Sequence, residues 1–307
     1  MYAHASFRAS FRATRLIIVA ALAIAEAFVL PAPAGAQPAG SKPAIIDNAT
    51  WYLRNSLTSG VATNTFRYGI RGDIPVMGDW NGDGHDTVGV VRTNTLPGGQ
   101  QTYSWYLRNS NTPGSATITP FVFGTKRFVS PDILGTIPLA GDWNDDGVDT
   151  IGVMVYDINP DGPIQWQLRN SNSAGPPDIV ITYSRGRDRP IVGDWNGDGV
   201  DTIGVVRGPN SWLLRNSNTS GVAQVAFTYG SGGRFRELPV VGDWNGDGVD
   251  TPAVLRNRPA TDSQGGYEDW LFRNSNTTGV ADGEFIYGSD AQTIFQPVEF
   301  IPRLSWQ

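Results

Sequence analysis

The sequence predicts an all-β fold, a five-bladed β-propeller made of four-stranded antiparallel blades, with the ring closed by pairing of the N- and C-terminal strands. Three observations predict this fold. A unit of four short β-type runs repeats along the chain, and no segment beyond the N-terminal apolar run shows sustained helical periodicity. In addition, one recurrent segment has five copies where another has four, which indicates a fifth blade shared by the chain ends.

The first 36 residues predict a secretory signal peptide. A basic start precedes an apolar run at residues 16–30, and the small residues at 34–36 resemble a cleavage site. We therefore expect cleavage near Ala36 and a secreted protein, either extracellular or periplasmic. An uncleaved anchor is the alternative, but the apolar run is short for a membrane span and contains Glu26. No transmembrane helix is expected.

The mature chain is expected to contain a short linker at 37–43 and a single propeller domain at 44–307. Loss of the signal removes three arginines and one glutamate and changes the net charge from −6 to −8. No basic cluster remains, so nucleic acid is not an expected partner. The absence of cysteine means that an exported chain must be stabilised without disulfides.

The most informative repeat is Gly-Asp-Trp-Asn-Gly-Asp-Gly, which occurs four times with one change, Asp145 in place of glycine. Loop positions are counted here from the first aspartate. Those aspartates lie 63, 52 and 49 residues apart, a period typical of propeller blades. They are Asp79, Asp142, Asp194 and Asp243.

Each acidic loop is followed by a β-type run that begins with threonine, then by a Trp-x-Leu/Phe-Arg-Asn-Ser segment and an aromatic run. With strands named A to D and the acidic loop joining A to B, complete blades are predicted at 74–124, 137–184, 190–230 and 238–288. The Trp segment has five copies, which begin at Trp51, Trp105, Trp166, Trp212 and Trp270.

The fifth blade is predicted to combine both ends of the chain. Residues 44–69 supply strands B, C and D, and residues 296–301 align with strand A. We therefore expect 296–301 to lie beside 44–47. Closure of this kind removes the exposed edges that an open sheet array would leave.

The acidic loops predict calcium sites, up to four in number. Oxygen-bearing side chains occupy positions 1, 3 and 5, and a glycine that permits the sharp turn follows at position 6. Alternate residues of such a tight loop can point inward together, as a hard cation requires. The predicted side-chain ligands are Asp79, Asn81 and Asp83; Asp142, Asn144 and Asp146; Asp194, Asn196 and Asp198; and Asp243, Asn245 and Asp247.

These repeats resemble the FG-GAP or VCBS repeats of integrin-like propellers across residues 44–301. The resemblance implies a calcium ion in each A–B hairpin, held also by the position-7 backbone carbonyl and by an acid at position 9. The position-7 residues are His85, Val148, Val200 and Val249. Position 9 instead holds Thr87, Thr150, Thr202 and Thr251, and position 8 holds Asp86, Asp149, Asp201 and Asp250. Either the position-8 aspartates close the shell after a local backbone shift, or threonine and water do so.

Two other recurrent residue types have competing interpretations. Strand alternation predicts that the tryptophans of the Trp segments are core residues, and sugar stacking is the alternative. The loop tryptophans are ambiguous between the same two roles. The recurrent arginines are expected to pair with acids of the adjacent strand or to lie on the solvated face, with an anionic ligand as the alternative. These arginines are Arg54, Arg108, Arg169, Arg215 and Arg273.

Catalysis has little support in the sequence. The only histidine after the signal is His85, within an acidic loop. No glutamate of the mature chain lies in a recognisable motif, and aspartates outside the loops such as Asp132, Asp157 and Asp188 lie in irregular segments. We therefore expect a monomeric, non-enzymatic binding or adhesion module whose partner is an extracellular glycan or protein. A carbohydrate-binding lectin with sites between blades is one alternative, and a polysaccharide hydrolase or lyase is another.

Overall fold

The computed structural model describes residues 40–126, 128–130, 133–157, 159, 161–186, 188–232, 237–258, 267–289 and 305–306. All of them belong to one compact unit, Gln37–Gln307. The predicted signal peptide, residues 1–36, lies outside the described residues.

The described residues are β-strands and the turns that connect them. In chain order the strands are β1 (Lys42–Asp47), β2 (Thr50–Leu53), β3 (Asn64–Arg67), β4 (Ile74–Gly78), β5 (Thr87–Thr95), β6 (Gln101–Leu107), β7 (Phe121–Thr125), β8 (Phe128–Ser130), β9 (Ile133–Leu134), β10 (Thr136–Gly141), β11 (Thr150–Val155), β12 (Pro163–Leu168), β13 (Ile179–Arg185), β14 (Arg189–Gly193), β15 (Thr202–Arg207), β16 (Ser211–Leu214), β17 (Val225–Thr228), β18 (Glu237–Gly242), β19 (Thr251–Arg258), β20 (Tyr267–Phe272), β21 (Gly283–Ser289) and β22 (Ser305–Trp306).

These strands form five four-stranded antiparallel sheets arranged in a ring, so the fold is the predicted five-bladed β-propeller. Blade 1 has the order β22-β1-β2-β3, and blade 2 the order β4-β5-β6-β7. Blades 3, 4 and 5 follow as β10 to β13, β14 to β17 and β18 to β21. The strands β8 and β9 form a separate two-stranded hairpin between blades 2 and 3.

Burial falls from the inner to the outer strand of each blade. The A and B strands are buried on both faces over most of their length, as in β4 and the first five residues of β5. Strand C alternates, with the Trp and Leu side chains buried in β16, and strand D is mostly exposed, as in β17. Continuous apolar runs therefore form the inner strands because neighbouring blades cover both of their faces.

The apolar core lies between successive blades and continues around the whole ring. One cluster joins blades 1 and 2, where Ala44 and Trp51 pack with Met77 and Val88. Another joins blades 5 and 1, where Ile45 belongs to the same cluster as the tryptophans of blade 5. Because burial of this apolar area drives folding, each blade is stabilised by both neighbours.

The ring closes through blade 1, as predicted, but the described pairing lies at the extreme C-terminus. Lys42 pairs with Trp306 and Pro43 with Ser305. The strand β22 also contacts the inner strands β18 and β4, which completes the circuit of innermost strands. Residues 296–301, predicted as this strand, lie outside the described residues.

Candidate metal centres

The four acidic loops are the A–B turns of blades 2 to 5. Each begins after a strand that ends in glycine and finishes at the threonine that opens strand B. The hairpins are closed by the pairs Gly78↔Thr87, Gly141↔Thr150, Gly193↔Thr202 and Gly242↔Thr251. All four loops therefore lie at the same end of the propeller, in the A–B turns that the sequence predicts.

The position-1 aspartate organises each loop by accepting hydrogen bonds from the backbone. In blade 4, Oδ1 of Asp194 accepts the N–H groups of Gly197 at 2.7 Å and Asp198 at 3.2 Å, and Oδ2 accepts that of Gly199 at 2.8 Å. Equivalent bonds to position 6 measure 2.7, 2.8 and 2.9 Å in blades 2, 3 and 5. One carboxylate thus gathers the loop backbone around itself.

The side chains at positions 3 and 5 converge in every loop. The asparagine Nδ2 donates to Oδ2 of the position-5 aspartate at 2.9, 3.0, 2.9 and 2.8 Å in blades 2 to 5. The other aspartate oxygen accepts the position-7 N–H at 2.9–3.0 Å. The structure therefore brings the predicted ligands at positions 1, 3 and 5 together in each loop.

Glycine at position 6 is required by the backbone conformation. Gly84, Gly147, Gly199 and Gly248 have φ between 83° and 87°, the left-handed region that disfavours a side chain. Position 4 is also left-handed, and Asp145 adopts it with φ 56° where the other three loops have glycine. Two left-handed residues turn the chain sharply enough for alternate side chains to face the same point.

The donor chemistry of each loop is entirely oxygen. Two carboxylates and one amide carbonyl are the side-chain donors, and this set fits a hard cation such as Ca²⁺ better than zinc. The fit is clearest in blade 5, where Oδ1 of Asn245 is buried without a hydrogen-bond partner. Within the described ranges, no group of three or more His, Cys, Asp or Glu side chains is placed to hold a metal ion. The acidic loops are a different kind of donor set, because the third side-chain oxygen of each comes from an asparagine amide.

Three of the four position-8 aspartates bond to the preceding blade. The N–H of Asp149 donates to the carbonyl of Asp79 at 2.8 Å, and Oδ2 of Asp149 accepts the N–H of Asp79 at 2.8 Å. We call this pair of bonds the inter-blade clasp. Asp201 and Asp250 form the same clasp with the position-1 aspartates of blades 3 and 4. Their predicted role as metal ligands, and that of Asp86, stays a prediction.

Ser41 completes the series at the ring closure. Its N–H donates to the carbonyl of Asp243 at 2.6 Å, and its Oγ accepts the N–H of Asp243 at 2.9 Å. The serine thus takes the place of a position-8 aspartate in blade 1, although the sequence predicts it to lie in the linker at 37–43. Its position directly before strand β1, like that of Asp86 before β5, is the signal that could have revealed it.

The position-9 threonines donate hydrogen bonds to backbone carbonyls at the base of the hairpins. The hydroxyls of Thr87 and Thr150 donate to the carbonyls of Gly78 and Gly141 at 3.4 Å. Those of Thr202 and Thr251 donate to carbonyls at the end of strand C at 2.7 Å. All four threonines are buried, and each hydroxyl has a backbone carbonyl as its hydrogen-bond partner.

A second loop supports each acidic loop from within the same blade. The asparagine after Arg-Asn-Ser in the C–D loop donates from Nδ2 to the position-8 carbonyl at 2.8–3.0 Å. These residues are Asn111, Asn172, Asn218 and Asn276. Blade 1, which contains no copy of the acidic motif, has Leu57 at this position. That covariation within the chain was a signal that the sequence interpretation missed.

The recurrent arginines bind their own C–D loop. Among the described residues they do not pair with acids of the adjacent strand, the first of the two expected placements. The second expected placement is the solvated face; four of the arginines are half-buried and Arg215 is buried. Arg108 donates from Nε to the carbonyl of Thr112 at 2.9 Å and from Nη1 to that of Ser115 at 2.5 Å. In all five blades Nη1 reaches the carbonyl seven residues further on. The guanidinium has several donors in a fixed geometry, so it can satisfy many loop acceptors at once.

The tryptophans are core residues. The five tryptophans of the Trp segments are at most 1% exposed, and each donates from Nε1 to a carbonyl in or directly after strand D at 2.9–3.2 Å. The four loop tryptophans, which the sequence left ambiguous, are at most 4% exposed. None of these nine rings offers a face on which a sugar could stack.

Three acidic residues outside the loops are held in ion pairs at the opposite end of the blades. Arg92 binds both oxygens of Asp73 at 2.8 Å. Arg207 binds Asp188 at 2.7 Å, and Arg256 binds Glu237 at 2.7 Å. Each pair joins the end of strand B to the segment that enters strand A, so these carboxylates have a structural role.

Tyrosines in or directly after strand D join neighbouring blades. The hydroxyl of Tyr68 donates to the carbonyl of Tyr106 at 3.1 Å, and that of Tyr183 to the carbonyl of Leu213 at 3.0 Å. Burial raises the pKa of Tyr68 and of Tyr183 to about 12. Removal from water disfavours the charged phenolate, which is the cause of the shift.

Comparison with known proteins identifies no relative. No family model matches the chain, and neither the curated proteins nor the solved structures contain a match. Across the part of the chain that the structure describes, no helix is long and apolar enough to cross a membrane.

Proposed function

We propose that this protein is a secreted, calcium-binding β-propeller that acts as a non-enzymatic binding or adhesion module. The observation that carries the proposal is the convergence of Asp, Asn and Asp side chains in four equivalent loops. An all-oxygen set on a sharply turned loop is the chemistry that calcium prefers. Up to four ions would bind, with the position-7 carbonyl and water completing each shell.

The role proposed for calcium is structural. Each loop is joined to the next blade through the backbone of its position-1 aspartate, so an ion bound there would fix a junction between blades. The acidic loops also concentrate negative charge at one end of the ring, and bound cations would neutralise it. An exported chain without disulfides gains stability from any ligand that binds only the folded state.

Three carboxylates outside the loops support a non-enzymatic role. Asp73, Asp188 and Glu237 are each bound by an arginine, and an acid held in this way is a poor general acid or base. Of the recurrent Trp, Asn and Arg that favour the lectin alternative, the nine described tryptophan rings are buried, and the recurrent arginines bind carbonyls of their own loops. The proposed partner is an extracellular glycan or protein bound by a monomer.

The experiment that tests the proposal measures thermal unfolding of the mature protein, residues 37–307, in excess calcium and in chelator. One site with free calcium at 100 times its Kd would stabilise the fold by about 2.7 kcal/mol. We expect a higher melting temperature in calcium. Equal melting curves would refute the structural role.

A variant assigns the ligands. Asp194→Ala should lower the calcium content by one ion per chain and leave the other three loops occupied. Asp47→Ala removes the same charge from strand β1, outside the loops, and should keep the wild-type content. Wild-type stoichiometry in Asp194→Ala would refute the ligand assignment.

A further inference from the structure

Each position-1 aspartate carries two separate functions in one residue. Its carboxylate is a candidate calcium ligand, while its backbone N–H and C=O are both bound by the next blade through the inter-blade clasp. In the clasp of Asp142, the two bonds to Asp201 measure 2.7 and 3.0 Å. The orientation of the ligand therefore depends on a residue that belongs to another blade.

We infer that the clasp couples calcium binding in each loop to the docking of the following blade, which deepens and rests on the proposed function. Asp149, Asp201, Asp250 and Ser41 are the positioning residues. Each acts on the loop of the preceding blade and not on its own loop. Because coupling between two equilibria is reciprocal, calcium in a loop strengthens docking of the next blade, and docking raises calcium affinity by the same factor.

The junction is packed too tightly for the clasp to move independently of the loop. A Cβ atom on Gly78 would lie 2.8 Å from Cβ of Asp149 and 2.9 Å from its Oδ2. The loops themselves also meet, since a Cβ on Gly82 would lie 3.2 Å from the carbonyl oxygen of Gly147. A close-packed contact transmits displacement instead of absorbing it, so loop and clasp respond together.

The series has a direction and ends at the ring closure. The loops of blades 2, 3 and 4 are clasped by aspartates of blades 3, 4 and 5. The loop of blade 5 is clasped by Ser41, which lies 202 residues away from Asp243 in sequence. Calcium in the blade 5 loop thus stabilises the contact that closes the propeller, whereas ions in the other loops stabilise contacts between consecutive blades.

A variant of Ser41 also distinguishes the effect of the clasp from the loss of a direct metal ligand. Asp149 belongs to an acidic loop of its own, so a loss of calcium in its variants could reflect a lost ligand in that loop. Ser41 lies in blade 1, which has no acidic loop. An effect of Ser41→Ala on the blade 5 loop can act only across the junction between blades.

The experiment is a calcium titration of the mature protein followed by backbone amide NMR, with glycine amides as reporters of individual loops. The N–H groups of Gly84, Gly147 and Gly248 donate to Oδ2 of their own position-1 aspartates at 2.7, 2.8 and 2.9 Å. Each resonance therefore reports the carboxylate of one loop. The variants are Asp149→Ala, Asp149→Asn and Ser41→Ala.

We expect Asp149→Ala to weaken calcium binding in the blade 2 loop, as reported by Gly84, about tenfold. This is the effect of losing one hydrogen bond to a charged group. The calcium affinity of the blade 3 loop, as reported by Gly147, should change by less than about twofold, which is within the variation found between independent sites. Asp149→Asn keeps an acceptor oxygen and should stay close to wild type. Ser41→Ala should weaken binding at Gly248 and leave Gly84 unchanged.

Three results would overturn the inference. Weakening at Gly147 without weakening at Gly84 would make Asp149 a ligand of its own loop. Unchanged affinities in both alanine variants would show that the clasp carries no coupling. If none of the loop glycines of the wild type responds to calcium, the proposed function fails and the coupling with it. The clasp itself can then still be tested in calcium-free buffer. Asp149→Ala should accelerate hydrogen exchange of the Asp79 amide, because it removes the acceptor of that N–H.

Discussion

Gly141→Ala provides a direct test of how closely the blades approach each other. Gly141 precedes the acidic loop of blade 3, and an added Cβ would lie 2.9 Å from both Cβ and Oδ2 of Asp201 in blade 4. The next atom, Cη2 of Trp143, would lie at 3.0 Å. Carbon atoms in favourable contact are about 3.5–4.0 Å apart, so the methyl group must displace the aspartate.

The expected cost has two parts. Overpacking of a rigid contact costs about 1–3 kcal/mol. Displacement of Asp201 also weakens the hydrogen bond that its Oδ2 accepts from the Asp142 N–H, 3.0 Å long in the wild type. A bond to a charged group contributes about 1.5–3 kcal/mol, of which part is lost. We therefore expect Gly141→Ala to lower the free energy of unfolding by about 2–4 kcal/mol.

The assay is equilibrium urea unfolding in excess calcium, arranged as a double-mutant cycle with Asp201→Gly. Removing the aspartate side chain removes both of the closest contacts and leaves only that with Trp143. The cost of Gly141→Ala should then fall by about 1–2 kcal/mol in the Asp201→Gly background. Additive effects within about 0.5 kcal/mol would show that the glycine is not required by the neighbouring blade.

Three further predictions concern the supporting loop, alkaline pH and ring closure. Asn218→Leu removes the Nδ2 bond to the Asp201 carbonyl, 2.8 Å long, and should lower the free energy of urea unfolding by about 1–3 kcal/mol; an unchanged midpoint would contradict this. Because burial raises the pKa of Tyr68 and Tyr183 from 10.0 to about 12, the unfolded state loses these protons first, so stability should fall as pH rises from 10 toward 12. Urea unfolding followed by tyrosinate absorbance measures this fall, and a constant free energy of unfolding across that range would refute it. Deleting everything after Phe295 removes β22 and should lower the melting temperature of the whole protein, whereas a melting temperature near that of the full chain would indicate an open array.

The sequence by itself determined the blade pattern and the loop chemistry. Strand β15 reads as a continuous apolar run after an acidic turn, and β16 alternates buried and half-buried side chains. These are local patterns, and the five copies of the Trp segment beside four acidic loops added the number of blades. Convergence at positions 1, 3 and 5 was predictable for the same reason, because a tight turn of eight residues fixes which side chains share a face.

The tertiary structure decided the partners across blades. The carboxylate of Asp149 binds a backbone group 70 residues away, and Ser41 binds one 202 residues away. No local window of sequence contains the neighbouring blade, so these bonds of the position-8 aspartates could not be predicted from it. The recurrent Arg108 likewise resembles an ion-pair partner, yet its donors face carbonyls of its own loop. Residue type fixes what a side chain can bind, and only the packing of one blade on the next fixes which group is within reach.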